Sequence, residues 1–138
     1  MGELQKRYQF PKREHLYGER VIDHLYANGD SFFLFPYRVT LVKALESESE
    51  PLRVLVSVSK KKFKHAVDRN CIKRRMREAY RLNKHSLYEY LDGKNEKLYV
   101  AIQFIGQKVE VSSFMQKKMF KLLSQIQDGL VKGKYGVK

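Results

Sequence analysis

Of 138 residues, one is cysteine, none is tryptophan and three are proline. A single thiol, Cys71, excludes an internal disulfide framework and a multi-cysteine zinc site. Acids are scarce, with 15 Asp and Glu against 28 Lys and Arg. They form no paired set of the kind two-metal nuclease chemistry uses, and His15, His24, His65 and His85 show no metal-ligand spacing. Cys71 has no catalytic partner beyond a nearby His65, so it reads as a small half-buried residue rather than a nucleophile. No apolar run approaches the roughly 20 residues that span a bilayer. The opening stretch MGELQKRYQFPKREH lacks an apolar signal core, and Lys6 stands where a myristoylation site after Gly2 wants Ser or Thr. A cytoplasmic chain with no membrane partner is the expectation. Internal repeats and Pro/Gly linkers are absent too, so residues 1–138 read as one domain, ordered over about 10–130 with a frayed C-terminal tail.

What is present points to a folded, polyanion-seeking protein. Hydrophobic residues make up 43% and aromatics 12%, enough to build a core. The formal net charge of +13 would repel itself in a compact state unless a polyanion neutralised it. Nucleic acid is the leading candidate.

The elements follow from periodicity. From Pro11, the residues Leu16, Val21, Ile22, Leu25 and Tyr26 can form one helical stripe, which Asn28 and Gly29 close. SFFLF (31–35) and PYRVTLVKAL (36–45) read as strands, with Tyr37, Val39 and Leu41 on one face and Arg38, Thr40 and Val42 on the other. After the acidic loop ESESEP, LRVLVSVS (52–59) alternates strictly, so that one face is core and the other small and partly polar. HSLYEYLDG (85–93) reads as a short helix, KLYVAIQFIG (97–106) as a buried strand, and SSFMQKKMFKLLSQIQDGL (112–130) as an amphipathic helix. The result is an α/β (α+β) sandwich.

Between the third and fourth strands lies HAVDRNCIKRRMREAYR (65–81). At about 100° per residue, Ile72, Met76, Ala79, Tyr80 and Leu82 gather on one side, with Cys71 at its edge. Asn70, Lys73, Arg74, Arg77, Arg81 and Lys84 form a continuous stripe opposite. Like charges four residues apart repel by a few tenths of a kcal/mol, roughly, so a merely solvated face usually mixes signs. This stripe does not. Asp68 is the expected N-cap, which sets Arg69 in the first turn with Lys60, Lys61, Lys62 and Lys64 just upstream. Cations there oppose the helix dipole by about 0.3–1 kcal/mol each. Stability would not select the arrangement; phosphate binding would.

The stretch SVSKKKFKHAVDRNCIKRRMREAYR (57–81) resembles the protein subunit of bacterial ribonuclease P. That family carries a strand ending in S-x-K-K, a basic turn with Ala, and an R-N-R helix start continuing I-K-R-x-x-R-E. Ser59, Lys60, Lys61 and Ala66 match the first parts, and Arg69, Asn70, Ile72, Lys73, Arg74, Arg77 and Glu78 the rest. Cys71 replaces the second arginine of R-N-R, and Phe63 stands where many relatives have glycine. The resemblance spans about residues 10 to 127, strongly in the centre and weakly in the flanks.

The resemblance implies a ribosomal-protein-S5-domain-2-like fold, ordered α-β-β-β-α-β-α, with a left-handed crossover against the usual hand. It implies a cytoplasmic ribonucleoprotein endonuclease that removes 5′ leaders from precursor tRNA. The catalytic RNA does the chemistry with magnesium ions (Mg2+), so no protein catalytic or metal residue and no protein partner is expected. Lys60, Lys61, Lys62, Lys64, Arg69, Asn70, Lys73, Arg74, Arg77 and Arg81 are the candidate RNA contacts. A cleft between the sheet face and the first helix takes the single-stranded leader in the family; Tyr26, Tyr37, Val39 and Ser57 are its candidates, with Tyr37 stacking on a base. Two rivals remain: a ribosomal or general RNA-chaperone protein, and a small nuclease acting alone.

Overall fold

The computed structural model describes residues 9–133. After a single 3-10 turn at Lys12–Glu14 come helix α1 (Glu19–Asn28) and strands β1 (Asp30–Leu34), β2 (Tyr37–Lys43) and β3 (Leu52–Val58). Helices α2 (Ala66–Asn83) and α3 (His85–Gly93), strand β4 (Leu98–Phe104) and helix α4 (Ser112–Val131) complete the order. The expected α-β-β-β-α-β-α order is recovered, with the short helix at 85–93 standing as α3. The first eight residues and the expected frayed tail beyond Gly133 lie outside the described residues.

The four strands run β1-β2-β4-β3 across the sheet. β1 and β2 form an antiparallel hairpin, and β2 pairs antiparallel with β4. β3 lies parallel to β4, a pairing that a tight turn cannot make; α2 and α3 supply the crossover. Central β4 is buried at every position except Gln103, as its near-continuous apolar run requires.

The pleat sorts the sheet into two faces. Tyr37, Val39, Leu41, Val54, Val56, Val100, Ile102 and Phe104 face the main core. There they meet Ile72, Met76, Ala79 and Tyr80 of α2 and Met115, Met119, Leu122 and Ile126 of α4. On the opposite face, Leu16 and Leu25 join Val42, Tyr99 and Ala101 in a smaller cluster beneath α1.

The N-terminal helix begins later than the stripe from Pro11 predicts. Gly18 has φ +99°, a left-handed conformation that side chains resist, and α1 starts only at Glu19. Upstream, the Leu16 N–H donates to the Val54 carbonyl at 3.0 Å, so this segment is pinned against β3. Gly29 does close α1, but not as a left-handed cap. Its φ is −80°, and its N–H donates to the Leu25 carbonyl at 2.8 Å. Glycine is needed there for space: a Cβ would lie 2.4 Å from the Leu25 carbonyl oxygen.

Candidate nucleic-acid interface

The basic turn is built by a small set of anchors. Ser59 accepts the Lys61 N–H on its hydroxyl at 3.2 Å, and its carbonyl accepts the Phe63 N–H at 3.2 Å. Phe63 is buried, its ring centroid 5.9 Å from that of Phe104. An apolar plug thus seats the turn on the core. Lys60, Lys61, Lys62 and Lys64 all remain exposed around it. The Lys62 ammonium donates to the Ile105 carbonyl at 3.0 Å, which ties the turn to the end of β4.

Helix α2 starts at Ala66, two residues before the expected cap. His65 occupies the N-cap position without a side-chain bond, and Asp68 lies in the first turn, where its charge suits the dipole. Arg69 is turned back on the chain: its Nη1 donates to the carbonyls of Phe63 at 2.6 Å and Lys64 at 3.0 Å. It therefore braces the turn that carries the lysines.

Along the stripe, Asn70, Arg74 and Arg77 are exposed and Lys73 is half-buried. Arg81 bonds Glu78 one turn back, and the guanidinium holds that carboxyl below the usual range. Lys84 departs from the expectation. It is 3% exposed, because the chain turns there from α2 into α3 and carries the side chain inward. Its ammonium pairs with the Glu14 carboxylate and lies 6.0 Å from the Phe10 ring and 5.6 Å from the Tyr88 ring. Burial pulls its pKa down despite the partner. The outward stripe ends at Arg81. Arg75, which the stripe leaves out, donates to the Glu110 carbonyl at 2.5 Å and clamps α2 to the approach of α4. Nothing in sequence signals a backbone acceptor so far along the chain.

Burial corrects half of the leader-cleft set. Tyr37 and Val39 are both 0% exposed and point into the main core. The Tyr37 hydroxyl donates to the Met115 carbonyl at 3.0 Å, and burial pushes its pKa up. No base can stack on it. Ser57 lies on the other face, as alternation requires, and Tyr26 stands 58% exposed on the helix covering that face. The register sets Ser57 beside Gln103, Gln103 beside Arg38 and Arg38 beside Phe33, one row across all four strands. Phe33 is 68% exposed, and the Arg38 guanidinium carbon sits 5.7 Å from its ring centroid. Phe33 and Gln103 were missed because a strand's alternation does not reveal which residues its neighbours place alongside.

A basic helix edge, an exposed basic turn and a polar and aromatic sheet row that is exposed at Phe33 and Arg38 define a small α/β protein fitted to nucleic acid. The ribonuclease P family model matches residues 10–126, and the chain belongs to that family. It is 35% identical over 127 residues to the ribonuclease P protein component of Porphyromonas gingivalis, covering 88% of this chain and 91% of that one. The component from Chlorobium phaeobacteroides is 35% identical over 125 residues, covering 83% and 86%. Among solved structures, the Staphylococcus aureus ribonuclease P protein superposes with a TM-score of 0.61 at 20% identity, covering 83% of this chain and 94% of that one. A mutant of that protein gives 0.65 at 22% identity, covering 84% and 90%. Membership makes this chain the protein subunit of a tRNA-processing endonuclease, with the ribonuclease P RNA as its partner.

Proposed function

We propose that the catalysis belongs to the RNA subunit, and that this protein binds that RNA along the α2 edge while its open sheet row holds the 5′ leader of precursor tRNA. The observation that carries the reading is the division of labour between two surfaces. Arg74, Arg77, Lys73 and the lysine turn track phosphates without reading sequence, whereas Phe33, Arg38, Gln103 and Ser57 offer an aromatic face, a cation, an amide and a hydroxyl. A single strand uses all four; a duplex hides its base faces. Among the described residues, no three His, Cys, Asp or Glu side chains cluster as a metal site. The proposal assigns the magnesium ions to the RNA. The setting is the cytoplasm.

Reconstitution with the ribonuclease P RNA of the same organism tests this. The protein alone should leave precursor tRNA intact. Added to the RNA at low magnesium it should strongly raise cleavage at the mature 5′ end, because its cations replace divalent ions in screening two polyanions. The benefit should shrink as magnesium rises. Specific cleavage by protein free of RNA would overturn the reading. On the holoenzyme, Arg38→Ala should weaken leader-bearing precursor more than mature tRNA; equal losses would remove the sheet row from the leader path.

A further inference from the structure

One aromatic ring left outside the core has an aromatic neighbour across the fold. Phe35, at the turn between β1 and β2, is 54% exposed. Its centroid lies 6.3 Å from that of Phe114 in the first turn of α4, the planes tilted by 58°. Two hydrogen bonds anchor the surroundings of the pair, one at the hairpin tip and one at the start of α4. The Pro36 carbonyl accepts the Ile105 N–H at 2.8 Å, and the Tyr37 hydroxyl reaches the Met115 carbonyl, one residue beyond Phe114. The buried tyrosine thus holds the start of α4, and Phe114 with it, beside the hairpin tip.

One cation lies against the pair, and a second is tied to the backbone that the hairpin tip meets. The Lys118 ammonium stands 5.6 Å from the Phe114 centroid, and Lys117 is exposed beside it in sequence. Lys62 of the basic turn bonds the carbonyl of Ile105, the residue whose N–H meets Pro36. Glu110 is the one acid between residues 97 and 127. The site is therefore continuous with the basic turn, and Phe114 belongs to a helix packed on the opposite sheet face from Arg38 and Gln103.

We propose that Phe35 and Phe114 form a stacking site for one unpaired base of the ribonuclease P RNA, with Lys118 and Lys62 at the flanking phosphates. Stacking on an aromatic suits any base, because every base has a π-face, and a neighbouring ammonium adds attraction for ring and phosphate alike. The base is unpaired because a paired one has no free face. The inference rests on the RNA partner that family membership supplies.

The test is equilibrium binding of the full chain to the ribonuclease P RNA of the same organism, for wild type, Phe35→Ala, Phe35→Tyr and Lys118→Glu. Phe35→Ala should weaken Kd by about tenfold, with the salt slope unchanged because no phosphate contact is lost. Phe35→Tyr keeps a ring and should bind as wild type does. Lys118→Glu should weaken binding and reduce the slope; it keeps the inference testable should Phe35→Ala fail to fold. Failure of wild type to bind the RNA would sink the partner reading itself. Wild-type binding with Phe35→Ala unaffected would overturn the stacking site alone. A Phe35→Ala loss seen only when leader-bearing precursor is present would reassign the pair to the substrate and also overturn it.

Discussion

Tyr37 illustrates how one side chain's role depends on which face the pleat assigns it. An aromatic in a strand can stack on a ligand or complete a core; here its ring meets Phe104 at 6.4 Å and its hydroxyl satisfies the Met115 carbonyl. Tyr37→Phe should cost about 0.5–1.5 kcal/mol in denaturant unfolding. A variant as stable as wild type would mean the buried bond contributes nothing. Glu48 is a second case. Its carboxylate accepts from Arg53 Nε at 2.7 Å, the Tyr99 hydroxyl at 2.9 Å and the Glu50 N–H at 2.9 Å. Burial pushes this carboxyl up, yet the bonds from Glu50, Arg53 and Tyr99 outweigh it and the pKa lies below the ordinary value. Burial, then Glu48, pushes Tyr99 up to about 12. A carboxyl depressed on folding stabilises above its unfolded pKa, and that contribution vanishes as pH falls through the folded one. Acidification across and below the glutamate range should therefore destabilise wild type more than Glu48→Gln. Parallel pH profiles would contradict the network.

At the scale of elements, α1 meets the sheet at a corner where Gly29 has no room to grow. A Cβ there would lie 2.4 Å from the Leu25 carbonyl and 3.0 Å from the Leu41 carbonyl, both backbone atoms that cannot swing away. Gly29→Ala should lower stability by about 1–3 kcal/mol, read from the unfolding midpoint; no change would show that the corner yields. Much of the element structure was legible. The strict alternation of LRVLVSVS and the amphipathic pattern of 112–130 lie in sequence order, and the structure gives each the one-sided burial that the pattern implies. The late start of α1 was not legible, because the Leu16–Val54 bond is a contact across the chain and the helical apolar spacing runs straight through Gly18. For the same reason the stripe on α2 was correct to Arg81 and failed at Lys84: helical geometry predicts a face only while the helix continues, and its fate there depended on Glu14, 70 residues upstream.

For the whole molecule, the charge of +13 is partitioned. Acids such as Glu14, Glu48 and Glu50 are drawn into ion pairs with Lys84, Arg53 and Arg13 near the N-terminal segment. Among the described residues, Lys60, Lys61, Lys62 and Lys64 of the turn and Lys73, Arg74 and Arg77 of α2 make no ion pair with an acid. The candidate site was legible in so far as it is a periodic stripe, and illegible where it depends on register across the sheet, which sets Phe33, Arg38 and Gln103 in one row with Ser57. The most direct measurement is the dependence of ribonuclease P RNA affinity on salt for wild type and for the combined Lys73→Ala, Arg74→Ala, Arg77→Ala variant. The stripe predicts an unchanged unfolding transition, weaker binding, and a log–log slope smaller in magnitude by about 1 for each phosphate contact removed. Unchanged affinity and slope in a folded triple variant would contradict the claim that this edge is where the RNA docks.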